Sequence, residues 1–212
     1  MTKIIGSLIC LLAFVLVLPG FADDQEKAVN EIKKISAFSV DSNMRSVVNR
    51  TMADMLKAKR LDLVKQRQDM NLSYGNLFLA RELEAGGLKM EQIAQELKAG
   101  KSMLDIANGH ANWKQIDSDA KKLNHKIDDN VEKYLQNPKK AQAQDESDDY
   151  DAKADKVAAD SDVSKDEYAD AQKRYQRLTE MAGSHLPTGD ANAKNQGQGG
   201  DAPVVPPPTS RH

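Results

Sequence analysis

Cysteine is almost missing from this chain: one stands at position 10 among 212 residues. A disulfide needs two thiols, so packing rather than cross-linking must hold the fold. Aromatic residues make up 5%, with Trp113 the single tryptophan, which limits the chain to one modest hydrophobic core. The four histidines, at 110, 125, 185 and 212, have no ligand spacing. A G-x-S-x-G elbow and a glycine-rich phosphate loop are both lacking. Carboxylates are plentiful, but they stand three or four residues from Lys or Arg, or in solvated runs, where a paired acid and base are not set up. A calcium loop fails too: Asp160, Asp162 and Ser164 have the spacing, yet Lys165 stands where glycine is required and Ala171 where the bidentate Glu belongs. The chain is therefore read as non-enzymatic, with no cofactor and no metal.

What is present begins with an export signal. Lys3 opens it, Ile4 to Leu18 form its apolar run, and Pro19-Gly20-Phe21-Ala22 supply a helix stop and the small residues of a cleavage site. The run is shorter than the roughly 20 residues of a bilayer-spanning helix. Residues 1–22 are thus expected to be removed after Ala22, and Cys10 with them. The mature protein is expected in the periplasm or outside the cell, as part of a bacterial envelope; the alternative is an uncleaved membrane anchor.

Charge divides the remainder. Residues 40–140 carry 18 Lys and Arg against 14 Asp and Glu, net +4, and residues 141–190 carry 6 against 13, net −7. A basic body joined to an acidic segment folds back on itself or engages separate partners.

Apolar periodicity is helical throughout, which predicts an all-α protein. Ala28, Ile32 and Ile35 mark a first helix over 24–38. Asp41 or Ser42 caps a second, carrying Met44, Val47, Val48, Met52 and Met55 and running into a basic stretch up to Arg67. Ser73 caps a third, which stops at Gly86-Gly87. Short helices follow from Met90 to Ala99 and from Met103 to Ala107. Trp113, Ile116, Ala120, Leu123, Ile127, Val131 and Tyr134 then step by three or four residues, a long amphipathic helix that stops before Pro138. So narrow a stripe packs in a bundle or as half of a coiled coil. The expected organisation is a helical bundle over 23–140, an acidic linker over 141–163, an amphipathic helix over 164–183 opened by the capping-box pair Ser164 and Glu167, and a disordered Pro/Gly-rich tail over 184–212.

Tyr74-Gly75-Asn76-Leu77-Phe78-Leu79-Ala80, followed by Glu91-Gln92-Ile93 and by Gly100-Lys101-Ser102-Met103-Leu104-Asp105-Ile106-Ala107, resembles an arrangement found in uncharacterised exported bacterial helical proteins. There the position of Met103 is usually Trp, and a longer segment follows the Ile-Ala pair. The resemblance implies export and a helical fold; that group has no assigned activity.

Three features bear on partners. Arg45, Arg50, Lys57, Lys59, Arg60, Lys65 and Arg67 stand against only Asp54 and Asp62 between positions 45 and 67. Such a face suits an anionic membrane surface, an anionic cell-wall polymer or the chain's own acidic segment. Trp113, Ile116, Leu123, Ile127 and Tyr134 offer a stripe that serves as core or faces a partner protein or a second copy. Ile93-Ala94 and Ile106-Ala107 have the look of a helix-turn-helix. DNA recognition also needs a basic reading helix, and residues 103–111 hold no Lys or Arg, so nucleic acid is not an expected partner. Met52 and Met55 form an M-x-x-M pair, read as core filling rather than a copper(I) site.

Overall fold

A computed structural model describes residues 19–184, and over them the chain is all-helical with no strand. The apolar run of the expected signal and the tail beyond Ser184 lie outside the described residues. Among the described residues no helix is long and apolar enough to cross a membrane.

Helix α1 (Pro19–Phe38) buries Ala28, Ile32 and Ile35, the stripe read from the sequence. Asp41 caps α2 (Ser42–Leu56), its carboxylate accepting from the Asn43 and Met44 amides at 2.9 and 3.3 Å. The basic stretch does not continue this helix to Arg67. Lys57 takes a left-handed conformation (φ 52°), the chain turns, and α3 (Arg60–Met70) starts afresh. That turn lets Arg60, Leu63 and Arg67 all be buried, which one straight helix from Ser42 would not allow.

Ser73 caps α4 (Tyr74–Ala85) as expected, through the Asn76 amide. Gly75 lets α4 cross α1 closely, because a Cβ there would sit 2.1 Å from the Ile32 carbonyl oxygen. Ser36 Oγ takes the space, accepting from the Gly75 amide at 3.2 Å and sharing a 2.9 Å hydrogen bond with Ser73 Oγ. Two short helices follow, α5 (Met90–Lys98) and α6 (Met103–Ala107), separated by Gly100 at φ +88°.

The long helix α7 (Trp113–Gln136) packs against α1, α2, α4 and α9. Trp113, Ile116, Ala120, Leu123, Ile127 and Val131 are buried within the chain, and Tyr134 packs on the core's edge. Pro138 ends α7 and, having no amide hydrogen to satisfy, opens α8 (Pro138–Ser147) at its first position.

Residues 141–163 are not an open linker. They comprise most of α8, a looped stretch and a 3₁₀ turn (Ala158–Asp162), and they bury Ala141, Tyr150, Asp155, Ala159 and Asp160. This strap lies across α2 and α3. The chain ends in α9 (Lys165–Ser184), opened by reciprocal bonds between Ser164 and Glu167 at 2.9 and 3.2 Å and docked on α1 and α7 through Ala171, Leu178 and Ala182.

Candidate functional site

The seven basic residues between 45 and 67 divide by type. Arg45, Arg60 and Arg67 are buried and Arg50 is three-quarters covered, whereas Lys57, Lys59 and Lys65 are exposed. The arginines turn inward because the strap meets them with aspartates.

Arg67 is the deepest. It donates Nε to Asp155 Oδ1 at 3.1 Å, Nη1 and Nη2 to the two oxygens of Asp160 at 3.0 and 2.7 Å, and Nη2 to the Asp155 carbonyl at 2.6 Å. Its guanidinium lies 4.3 Å over the Tyr74 ring. Asp155 also accepts from both phenols, Tyr74 at 2.5 Å and Tyr150 at 2.8 Å. Burial, with the Asp155 charge beside them, pushes both phenols well above the usual tyrosine range. Both therefore stay protonated and serve as donors, not bases.

Arg60 repeats the pattern. Its Nη1 donates to Asp145 and to Asp148, each at 2.8 Å, its Nε to Asn49 Oδ1 at 2.7 Å, and it stacks 4.1 Å over Tyr150. The Arg60 hydrogen bond holds the Asp148 carboxyl below the usual carboxylate range. Arg50 shares Asp145 at 2.5 Å, and Ser46 donates to the same carboxylate. Arg45 joins the turn after α1 to the strap, donating to the carbonyls of Ser39, Val40 and Ala152 at 2.9, 2.8 and 2.7 Å. A planar guanidinium serves several acceptors and a ring at once, which an ammonium cannot do.

The centre of the cluster is sealed, Arg67 and Asp155 having no exposed side-chain surface, whereas Arg50, Asp145 and Asp148 at its edge keep a fifth to a third of theirs. What it can do chemically is bind its own strap. Of the seven cations between 45 and 67 only three lysines remain outward, so the basic face is weaker than the sequence implies. No family model, curated protein or solved structure matches this chain.

The predicted stripe Trp113, Ile116, Leu123, Ile127 is core rather than an open face, because α1, α2 and α9 cover it. Met44 and Met52 are buried beside it and Met55 packs against them, as gap-filling side chains do. The helix-turn-helix look comes from close packing: Ile93, Ile106 and Ala107 are buried, while α6 is five residues long and presents Leu104 and Asp105 outward. A carboxylate there would repel DNA phosphate.

Sequence reasoning missed the strap's contributors, Asp145, Asp148, Tyr150, Asp155 and Asp160, and their inner partners Asn49 and Tyr74. The opposite charge of the two regions was one signal; arginine rather than lysine at 45, 50, 60 and 67 was the other.

Besides a smaller cleft of about 550 Å³ around Arg45 and Lys156, two clefts lie on the surface of the described residues. One of about 890 Å³ lies among α2, α3, the C-terminal end of α7 and α8. The other, about 770 Å³, lies among α1, α7 and α9.

Proposed function

We propose that the protein is a non-enzymatic, exported helical module of the bacterial envelope that works by binding a protein partner or a second copy of itself. The observation that supports this is the arginine cluster that ties the strap to α2 and α3. Four arginines are spent on fixing residues 141–160 to the body, and a body fixed in advance loses little freedom when it binds. Export is supported by the order of Lys3, the Ile4 to Leu18 run and Ala22. Among the described side chains the first buried one is Ala28, beyond the cleavage point, so cleavage leaves that core intact. The test is light scattering of the native protein together with cross-linking in the envelope fraction. A monomer that captures nothing overturns the reading.

A second reading, binding of an anionic lipid surface or cell-wall polymer, is supported by the outward lysines, with Lys57, Lys59 and Lys65 holding no carboxylate among the described residues. Co-sedimentation with anionic vesicles and with isolated wall across a salt series tests it. Binding that is absent or indifferent to salt overturns it.

A further inference from the structure

The two clefts differ in what their cations are doing. In the cleft among α1, α7 and α9, Lys33 pairs with Glu167, Lys34 with Glu31, Lys173 with Asp170 and Arg174 with Asp128. An anion arriving there meets carboxylates already in place on these four cations, and Arg177 is the lining arginine without such a pair among the described residues. In the cleft among α2, α3, α7 and α8, Lys59, Lys133 and Lys140 come from three separate segments, and none is paired with a carboxylate among the described residues. Lys133 reaches only Asn130 Oδ1, at 3.5 Å. Of the two carboxylates lining this cleft, Asp148 is held by Arg60, which leaves Asp54 alone against the three lysines.

The cleft's other walls are also informative. Val47, Ala53 and Ala141 give it a buried apolar base, and Tyr134 lines it half-buried. Exposed amides of Gln136, Asn137 and Gln144 stand around it. Arg50 lines it too, with a buried Nε that meets no acceptor. The volume lies within the roughly 300–1,000 Å³ of small-ligand sites. A hollow that combines unpaired cations, amides and an aromatic edge over a small apolar base is suited to sugars carrying negative charge. Hydroxyls meet the amides, ring C–H faces meet the apolar base, and carboxylate or phosphate groups meet the lysines. A flat bilayer surface does not enter such a hollow.

We propose that this cleft binds a strand of anionic polysaccharide, with Lys59, Lys133 and Lys140 as its charge contacts. The proposal rests on the second reading above and replaces its basic helix with a site that crosses three segments.

The test uses the full chain, with polygalacturonate as a carboxylate probe, dextran as a neutral one, polyglutamate as a non-sugar polyanion and phosphatidylglycerol vesicles as a lipid surface. The variant K59Q/K133Q/K140Q is compared with K57Q/K65Q/K89Q, which removes the same charge from lysines outside the cleft. All six are exposed, and unchanged thermal unfolding confirms that both variants fold. The expected result is salt-sensitive binding of polygalacturonate but not dextran, weakened on the order of tenfold by the cleft variant and little by the other. Equal loss in both variants overturns the cleft while leaving anionic binding in place. Equal affinity for polyglutamate, or binding to vesicles alone, overturns the glycan. No binding to any polyanion or vesicle overturns the second reading itself.

Discussion

Arg67 of α3 holds Asp155 of the strap, 88 residues further along the chain, in an ion pair from which water is excluded on both sides. A buried pair of this kind contributes little net stability when intact, because desolvating both charges offsets their attraction. Breaking it is another matter. Arg67→Met leaves Asp155 and Asp160 buried without their shared cation, and about 3–5 kcal/mol of stability is expected to be lost. Arg67→Lys should rescue only part, since one ammonium cannot serve two carboxylates, a carbonyl and the Tyr74 ring together. Urea unfolding of both variants measures this; a loss under about 1 kcal/mol for Arg67→Met would show that the strap is not held there.

The strap also marks the limit of what the sequence discloses. Helix α7 was legible because burial of Trp113 through Val131 imposes a 3.6-residue period on neighbours in the chain. The caps at Asp41, Ser73 and Ser164 were legible because a capping side chain acts within three residues of its own position. The strap buries few apolar side chains and is ordered instead by charges from α2 and α3, a relation with no period. Its Ala and Asp composition therefore reads as solvated chain. The bend at Lys57 was hidden for a similar reason: neither Gly nor Pro marks it, and the cost of a left-handed lysine, about 1–2 kcal/mol, is offset by contacts made far along the chain. The candidate cleft was not legible at all, since its lysines lie at 59, 133 and 140 and only folding brings them to one hollow.

Gly75 is where α1 and α4 touch through backbone. Gly75→Ala would bring its methyl group 2.1 Å from the Ile32 carbonyl and 2.4 Å from Ser36 Oγ, so the helices must separate. A loss of about 1–3 kcal/mol or more is expected from such overpacking. Gly183, in the last turn of α9, is the contrasting case, with nothing within 4 Å of an added Cβ. Gly183→Ala should leave stability unchanged or raise it by up to about 1 kcal/mol through a more helix-prone residue. Unfolding midpoints of the two variants should move in opposite directions, or the second not at all. Equal losses would refute this account of the α1–α4 crossing.

Glu82 of α4 gives the fold a pH dependence near neutrality. Burial, followed by the Asp119 charge nearby, raises its carboxyl from the ordinary 4.5 to about 7. The folded protein then binds more protons than the unfolded chain between those values, so this group lowers stability as pH rises from about 4.5 to 7. Below the lower value both states are protonated and the favourable neutral form is fully present. Glu82→Gln, which is uncharged at every pH, should remove that decline and gain on the natural protein as pH rises. Thermal unfolding from pH 4.5 to 8 is the measurement, and parallel curves for the two proteins would sink the assignment.

Arg174 fixes α9. Its Nε donates to Asp128 at 2.6 Å, Nη1 and Nη2 reach Asn124 Oδ1 and the Asn124 carbonyl at 2.9 and 2.7 Å, and the guanidinium lies 4.8 Å over Phe38. Apart from this anchor the helix buries little, chiefly Ala171, Leu178 and Ala182. A terminal helix so attached is expected to open by itself before the body unfolds. Arg174→Ala removes hydrogen bonds to a charged group, worth about 1.5–3 kcal/mol, and should speed amide exchange across 165–184 while leaving α7 protected. Lys173→Ala is the control, because its pair with Asp170 is largely exposed and such pairs contribute little. Exchange across α9 that follows only global unfolding in the Arg174 variant would mean that Leu178 and its neighbours, not the guanidinium, hold the helix down.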